Sequence, residues 1–266
     1  MPEDDWSLAA TNLLIGIDDT DNADAGGTAK LAGRLLEHFD SNRMGGPLAA
    51  TRHQLLAPPA VTATQRNASL VIALKASHRL SLSDFAEFAV PFLEGQALEG
   101  SNPGIAMCRE SGWTDPANAS ALAGFGKRVQ TEVVDLAAAE AVAGTTGSLL
   151  VAIGGTGAGQ IGALAAVGLH IAGSDGEFVW LPGLAEAARP LTYRQLKTLL
   201  PLDLARDAEG REPADDEMVE VPPRARPLLI EGMAVLLLDP PQVVKQSAGF
   251  GAKPKEVTTW RATVPA

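Results

Sequence analysis

The segment Leu13-Leu14-Ile15-Gly16-Ile17-Asp18-Asp19-Thr20-Asp21 decides how this sequence is interpreted. Its apolar half predicts a buried strand, and three carboxylates follow at the point where such a strand would leave its sheet. Ligands of α/β proteins bind at strand ends of this kind. Three neighbouring carboxylates repel one another unless a cation neutralises them, so the pattern favours Mg²⁺ carrying a phosphate-bearing ligand. The alternative is an Asp-rich turn whose side chains bond local backbone amides.

Around this segment, short apolar runs alternate with helix-like segments and glycine turns up to about Trp180, which is typical of α/β architecture. We therefore expect a mixed sheet with flanking helices in a domain over residues 1–181. Residues 182–266 are Pro-rich and acidic at first, and they predict a smaller C-terminal α+β region. Within it, Leu228 to Asp239 predicts one strand, and the residues from Pro240 onward look partly irregular.

The chain carries 21 basic and 32 acidic residues, a formal net charge of −11, which argues against bulk electrostatic attraction to nucleic acid. Its single cysteine, Cys108, rules out an intramolecular disulfide framework. The acidic start, Met1 to Asp5, has neither the basic flank nor the apolar core of a signal peptide, and no later segment approaches membrane-spanning length. These features predict a soluble cytoplasmic protein without a membrane partner.

A helix is predicted directly after the acidic segment. Leu31, Leu35, Leu36 and Phe39 recur at helical spacing within Ala29 to Phe39, which places Thr28 at or near the helix N-cap. A threonine at this position usually only caps the helix. Because it would face the acidic residues across a short loop, its hydroxyl could also contact or accept a phosphoryl group.

A second glycine-rich segment spans residues 154–162. Gly157, Gly159 and Gly162 match the G-x-G-x-x-G spacing of dinucleotide-binding proteins, and Leu149 to Ile153 could be the strand before it. The segment could also bind phosphate through backbone amides. The third possibility is that its small residues allow close helix packing.

Other chemistries lack their residues. The four histidines, His38, His53, His78 and His170, are scattered without metal-ligand spacing, and one cysteine cannot form a zinc ribbon. There is also no G-x-S-x-G nucleophile elbow.

Four separated motifs, taken in order, resemble one family. They are Ile15 to Asp21 with Thr28, Ser101-Asn102-Pro103-Gly104, Phe125-Gly126-Lys127-Arg128 before Glu132-Val133-Val134, and Gly157 to Gly168. Together they resemble the catalytic, kinase-like part of archaeal tRNA(isoleucine) 2-agmatinylcytidine synthetase, which attaches agmatine to a wobble cytidine. The resemblance covers about 150 residues, roughly from 15 to 168.

The resemblance implies roles for these positions. The acidic strand end would bind metal and ATP, Thr28 would be phosphorylated, and the Asn-Pro-Gly and glycine segments would line the site. It also implies a helix where Leu149 to Ile153 otherwise predicts a strand. The family's oligonucleotide-binding barrel and zinc ribbon have no counterpart here, so tRNA binding is not an expectation, and only a reduced ferredoxin-like region would fit after Pro182.

Together, these arguments predict an Mg²⁺- and ATP-dependent enzyme of phosphoryl-transfer or ligase type, with an amine or an RNA as possible second substrate. Asp18, Asp19 and Asp21 would hold Mg²⁺ and, with Thr28, form the catalytic group. The residues expected to bind the nucleotide are Thr20, Asn102, Gly104, Lys127, Arg128, Gly157, Gly159 and Gly162. Two alternatives stay open: an NAD(P)-binding oxidoreductase that uses Gly157, Gly159 and Gly162, and a non-catalytic nucleotide-binding partner subunit.

Overall fold

The computed structural model describes residues 10–20, 28–56, 67–97, 101–246 and 255–264. The chain divides into two compact units, Met1–Trp180 and Leu181–Ala266. Within the described ranges, no helix combines the length and the apolar character that a membrane span requires.

The first unit contains six described strands and six helices. They are β1 (Ala10–Asp18), α1 (Thr28–Ser41), β2 (Gly45–Gln54), β3 (Ala68–Ser77), α2 (Leu82–Glu94), β4 (Gly104–Arg109), α3 (Glu110–Trp113), α4 (Pro116–Thr131), α5 (Leu136–Thr146), β5 (Leu149–Ala152), α6 (Gly159–Ala172) and β6 (Glu177–Trp180).

The first six of these elements form a β-α-β-β-α-β arrangement. Their strands lie in the order β4-β1-β3-β2, and each is antiparallel to its neighbours. This arrangement is ferredoxin-like. Strand β5 extends it beside β4, and β6 extends it beside β2. The ferredoxin-like arrangement therefore lies in the first unit, and not after Pro182, where the sequence predicts a reduced one.

Two predicted elements are confirmed in this unit. The apolar run after Asn12 lies in β1, and the segment after Thr28 forms α1. The residues that predicted this helix, Leu31, Leu35, Leu36 and Phe39, are all buried. Leu149 to Ile153 contains strand β5, so the helix implied by the resemblance is wrong. The pairing of β5 with β4 explains this result, because Leu149 lies opposite Met107 and extends the sheet edge.

The two faces of β1 pack against different helices. Residues at odd positions, Leu13, Ile15 and Ile17, belong to a core that also contains apolar residues of α1 and α2. Successive side chains of a strand point to opposite faces, so the residues at even positions face the other way. There, a Cβ atom on Gly16 would lie 2.1 Å from the backbone oxygen of Ala163 in α6.

Helix α6 is buried on nearly all sides, as expected for a helix that is apolar all round. Besides its contact with β1, it packs closely against α4. A Cβ atom on Gly168 would lie 2.0 Å from the backbone oxygen of Leu122, and one on Gly126 would lie 2.8 Å from that of Ala165. Glycines thus allow α6 to approach the backbones of its neighbours on both sides.

The second unit contains the remaining elements. They are β7 (Leu191–Thr192), α7 (Tyr193–Leu199), β8 (Leu204–Arg206), β9 (Met218–Glu220), β10 (Leu228–Ile230), β11 (Met233–Gln246) and β12 (Lys255–Ala262). Strands β8 and β9 pair in parallel with β11 and β12, whereas the β10–β11, β11–β12 and β7–β9 pairs are antiparallel. The predicted α/β class, with a mixed sheet and flanking helices, is confirmed.

Two expectations for the second unit are corrected. Leu228 to Asp239 is not one strand, because Glu231 and Gly232 have φ values of 53° and 78° and turn the chain between β10 and β11. Two consecutive residues with positive φ are typical of a tight hairpin turn. The segment after Pro240 is also more regular than predicted, since it completes β11 and contains β12.

A buried polar network joins the end of α6 to β2 in the first unit. Thr51 Oγ1 lies 2.8 Å from both His53 Nε2 and His170 Nδ1, and His53 Nδ1 lies 3.2 Å from Asp175 Oδ1. Gln130 Nε2 donates to Asp175 Oδ2 at 2.9 Å. A neutral His53 that donates from Nδ1 to Asp175 can accept the Thr51 proton at Nε2, and Thr51 then accepts from His170. Histidines that looked scattered in the sequence therefore meet.

This network perturbs two pKa values. Desolvation, assisted by the nearby His53 ring, lowers the pKa of His170 from 6.5 to about 3. Desolvation of Asp175 works toward a raised pKa, but hydrogen bonds from His53 and Gln130 outweigh it and hold the pKa of this carboxyl below 3.8. At neutral pH the network therefore combines a neutral His170 with an ionised Asp175.

Acidification should destabilise the protein through His170. Between pH 6.5 and about 3 the unfolded chain binds a proton at His170 that the folded protein does not bind. The free energy of unfolding should therefore fall as the pH is lowered from 6.5, by up to about 1.4 kcal/mol per pH unit. Denaturant unfolding between pH 7 and 4.5 measures this slope above the range in which Asp175 titrates. His170→Asn should reduce the slope. Equal slopes in the unaltered protein and His170→Asn would contradict the assignment.

Candidate functional site

The candidate site lies at the carboxyl end of β1, which is a central strand of the first unit's sheet. Asp18 is the last residue of β1 and pairs with Gly104, the first residue of β4. Because β1 is antiparallel to both of its neighbours, its carboxyl end adjoins the beginnings of β3 and β4. The Ser101-Asn102-Pro103-Gly104 motif is thereby brought next to the acidic strand end.

Asp19 turns back toward this motif. Its φ of 54° is in the left-handed region, which Asp tolerates better than most residues. In this conformation Asp19 Oδ2 accepts a hydrogen bond of 2.9 Å from the backbone N–H of Asn102. Asp19 and Asn102, 83 residues apart in sequence, are therefore directly bonded.

Asn102 in turn holds the glycine segment. Its Oδ1 accepts hydrogen bonds from the backbone N–H of Thr156 at 2.8 Å and from Thr156 Oγ1 at 3.2 Å. Its backbone oxygen accepts from the N–H of Gly159 at 3.1 Å. Gly155 has a φ of 59°, and a Cβ atom there would lie 2.0 Å from Asn102 Oδ1, so the loop needs glycine at this position. Asn102 thus links the acidic strand end to the loop before α6.

Asp18 lies beside the first turn of α6. A Cβ atom on Gly162 would be only 1.8 Å from Asp18 Oδ2, so the carboxylate uses space that any other residue would fill. The amino-terminal end of a helix carries partial positive charge and favours a nearby carboxylate. Gly162 is therefore explained by the position of Asp18.

The first amides of α6 are already bonded within the protein. The N–H of Gly159 donates to Asn102, that of Gln160 to the Gly157 oxygen at 3.1 Å, and that of Ile161 to the Ala158 oxygen at 3.0 Å. A helix start normally leaves these donors for a cap or a ligand. These three amides are consequently not available to phosphate while the loop keeps this conformation.

The topology contradicts the dinucleotide-binding interpretation of the glycine segment. In that motif the glycines connect a strand to a helix within a parallel βαβ unit. Here β5 is antiparallel to β4, and the chain after α6 enters β6, which is antiparallel to β2. Gly104 and Gly159 instead allow close approach, because a Cβ atom on Gly104 would lie 2.2 Å from the Gln160 nitrogen. Gly157 has a φ of 76° in the preceding turn.

The described residues at the end of β1 include oxygen donors of the chemical type that a hard cation binds. Asp18 and Asp19 supply carboxylates, and Ser69 supplies a buried hydroxyl next to Asp18 that has no hydrogen-bond partner among the described residues. Mg²⁺ prefers oxygen ligands of this kind. Among the described residues, no group of three or more His, Cys, Asp or Glu side chains is placed to hold a metal ion. Asp21, the third predicted carboxylate, lies outside them.

Four other predicted site residues are placed as follows. Thr20 is partly buried next to Asp19, and Thr28 is the first residue of α1, with its side chain outside the described part. Arg128 Nε lies 2.7 Å from Glu132 Oε1 on the exposed side of α4. Lys127 helps to lower the pKa of Asp175, which follows the carboxyl-terminal end of α6. Asp175 is bonded to His53, which lies two strands from Asp18 across β3.

Comparison with known proteins gave a likeness of fold. No family model and no curated protein matches the chain. Among solved structures, it is similar to a tRNA fluorescent labeling enzyme and to TiaS in complex with its isoleucine tRNA and ATP, each at 23% identity and a TM-score of 0.48. It is also similar to apo TiaS, a tRNA agmatidine synthetase, at 20% identity and a TM-score of 0.45.

Each of these matches covers 59% of this chain and 35% or 36% of the matched chain. The chain therefore spans about a third of the length of those structures. The predicted partial resemblance to the agmatine-attaching synthetase is confirmed as a likeness to part of those structures.

Ser69 is the site residue that the sequence analysis did not identify. A serine near the start of β3 is unremarkable by itself, since the strand carries another one at its end, Ser77. The position of Ser69 next to Asp18 follows only from the pairing of β1 with β3. Only the pairing register of β1 with β3 could have identified Ser69 as a residue of the site.

Two glycine substitutions should affect the stability of the fold and the binding of ligand to different extents. In Gly162→Ala the new methyl group meets the movable Asp18 carboxylate, whereas in Gly168→Ala it meets the fixed backbone oxygen of Leu122. Gly168→Ala should therefore reduce the free energy of unfolding by about 1–3 kcal/mol, and Gly162→Ala should reduce it by less. If Mg²⁺ and ATP raise the melting temperature of the unaltered protein, Gly162→Ala should lose more of that increase than Gly168→Ala. A Gly162→Ala variant that keeps the full increase would contradict a role for Asp18 in the site.

Proposed function

We propose that this chain binds ATP with Mg²⁺ at the end of β1 and acts as an enzyme of phosphoryl-transfer or ligase type. One observation carries the proposal. Two hydrogen bonds, from Asn102 N–H to Asp19 Oδ2 and from Thr156 N–H to Asn102 Oδ1, join three segments that are distant in sequence at the carboxyl end of β1. These are the acidic strand end, the Asn-Pro-Gly motif and the glycine segment, three of the motifs that carry the family resemblance in sequence.

Asp18 and Asp19 would hold Mg²⁺, with Asp21 as the proposed third carboxylate. The metal would neutralise charge on the ATP phosphates when both are bound. Asp19 keeps one carboxylate oxygen on the Asn102 N–H, which orients the other. The hydrogen bonds of Asn102 hold the loop before α6 next to Asp19. The first three amides of α6 are bonded internally, so the proposed phosphate contacts near the end of β1 are Gly157, Thr20 and Thr28.

Thr28 stays the proposed phosphoryl acceptor or phosphate contact, because α1 begins with it seven residues after Asp21 in the sequence. Lys127 and Arg128 stay proposed nucleotide contacts, although Arg128 is paired with Glu132 and Lys127 interacts electrostatically with Asp175.

The proposed second substrate is an amine or an RNA. TiaS structures are described with an isoleucine tRNA, ATP, AMPCPP and agmatine, and these ligands are probes to try on this chain. With a net charge of −11, the chain would need a local basic surface to hold RNA.

Asp19→Asn tests the proposal. Asparagine tolerates the positive φ of this position and keeps an oxygen that can accept from Asn102, so the free energy of unfolding should change by less than about 1 kcal/mol. Removing the charge should lower ATP turnover with Mg²⁺ by roughly 10²-fold or more. Turnover is measured as phosphate or pyrophosphate release with agmatine or RNA added.

Asp40→Asn, at an exposed position of α1, is the matched control and should retain full turnover. Full turnover by Asp19→Asn would refute the catalytic assignment. Stabilisation of the unaltered protein by Mg²⁺ and ATP without any turnover would instead identify a non-catalytic nucleotide-binding partner.

A further inference from the structure

The Ser69 hydroxyl is buried without a partner. Ser69 lies in β3 with 1% of its surface exposed, and its Oγ makes no hydrogen bond within the described part of the chain. Leaving a buried hydroxyl unbonded is unfavourable, and folded proteins rarely do so. A partner that forms only when the site is loaded would remove this cost.

Asp18 is placed to be that partner. The register Ile17 to Leu70 makes Asp18 and Ser69 the next neighbours across β1 and β3, on the same face of the sheet. A Cβ atom on Gly162 would lie 1.8 Å from Asp18 Oδ2 and 3.0 Å from Ser69 Oγ. The two oxygens are therefore within about 5 Å of each other, so a modest side-chain rotation suffices for a hydrogen bond.

The neighbour of Ser69 on the other side is already engaged. His53 pairs with Ser69 across β2 and β3. However, His53 Nε2 is bonded to Thr51 and His53 Nδ1 to Asp175, so both ring nitrogens are used. A carboxylate has two oxygens and about four acceptor sites, and it can accept from Ser69 in addition to other contacts. Asp18 is thus the better acceptor of the two.

We propose that Ser69 is a positioning residue of the metal site. When Asp18 holds a divalent cation through one carboxylate oxygen, the Ser69 hydroxyl donates to Oδ2 and fixes the orientation of the carboxylate. This inference rests on the proposed function, because it requires Asp18 to bind the cation. Hydrogen bonds to carboxylate ligands of this kind typically change metal affinity by about 10-fold to 100-fold.

The proposal predicts that removing the Ser69 hydroxyl weakens metal binding without destabilising the fold. A serine that only stabilises the fold would lower the free energy of unfolding when it is removed. A serine that bonds only to a loaded carboxylate should behave differently, because replacing an unbonded buried hydroxyl by a methyl group is neutral or stabilising for the metal-free protein.

Ser69→Ala is the test, with Mn²⁺ as the probe for the divalent cation. In the presence of a chelator, its free energy of unfolding should equal or exceed that of the unaltered protein. Its affinity for Mn²⁺, measured by electron paramagnetic resonance of the free ion, should be about 10-fold to 100-fold lower. Ser77→Ala, the same change at the other end of β3, should leave Mn²⁺ affinity unchanged.

Equal Mn²⁺ affinity in Ser69→Ala and the unaltered protein would overturn this inference and leave the proposed function standing. A marked loss of stability in metal-free Ser69→Ala would also overturn it, since the hydroxyl would then serve the fold. Absence of Mn²⁺ binding by the unaltered protein would overturn both proposals.

Discussion

Close approach of α6 to the sheet is the constraint on which the first unit depends. Glycines at Gly16 and Gly168 let the helix touch the backbones of β1 and α4 almost directly. The same approach brings the amino-terminal turn of α6 next to Asp18, where Gly162 makes room for the carboxylate. A larger residue at any of these positions would separate the layers or displace the carboxylate, because packed interiors leave little free volume. The packing and the candidate site therefore share one geometric cause.

Asn102 connects this packing to the chemistry proposed for the site. It bonds Asp19 on one side and Thr156 and Gly159 on the other, all of them distant from it in sequence. A residue whose backbone donates while its side chain and carbonyl accept can hold two loops in register in this way. At the opposite end of α6, the Thr51, His53 and Asp175 contacts fix the helix to β2. Both ends of the helix are thus held by polar bonds, and its middle by apolar packing.

Much of the local structure was predictable from sequence. The apolar run before Asp18 predicted β1, and helical spacing from Leu31 to Phe39 predicted most of α1. Errors arose where pairing or turn geometry decides the outcome. The hairpin turn at Glu231 and Gly232 interrupted a predicted strand, and the edge pairing of Leu149 gave a strand where the resemblance implied a helix. In the site, the acidic residues and Asn102 were identified from sequence, whereas Ser69 required the strand register.

By itself, the sequence determined which segments are buried, that the class is α/β, and which polar motifs interrupt the apolar pattern, since these depend on local periodicity and residue chemistry. Only the tertiary structure decided what the glycine segment does. Its spacing agreed with a dinucleotide-binding loop, but an antiparallel sheet and internally bonded amides show that Gly159 and Gly162 serve close packing. The tertiary structure also decided that the His53 and His170 rings lie 6.0 Å apart and that Ser69 lies beside Asp18 near Gly162. Such contacts depend on strand pairing between distant segments, and no local pattern records that pairing.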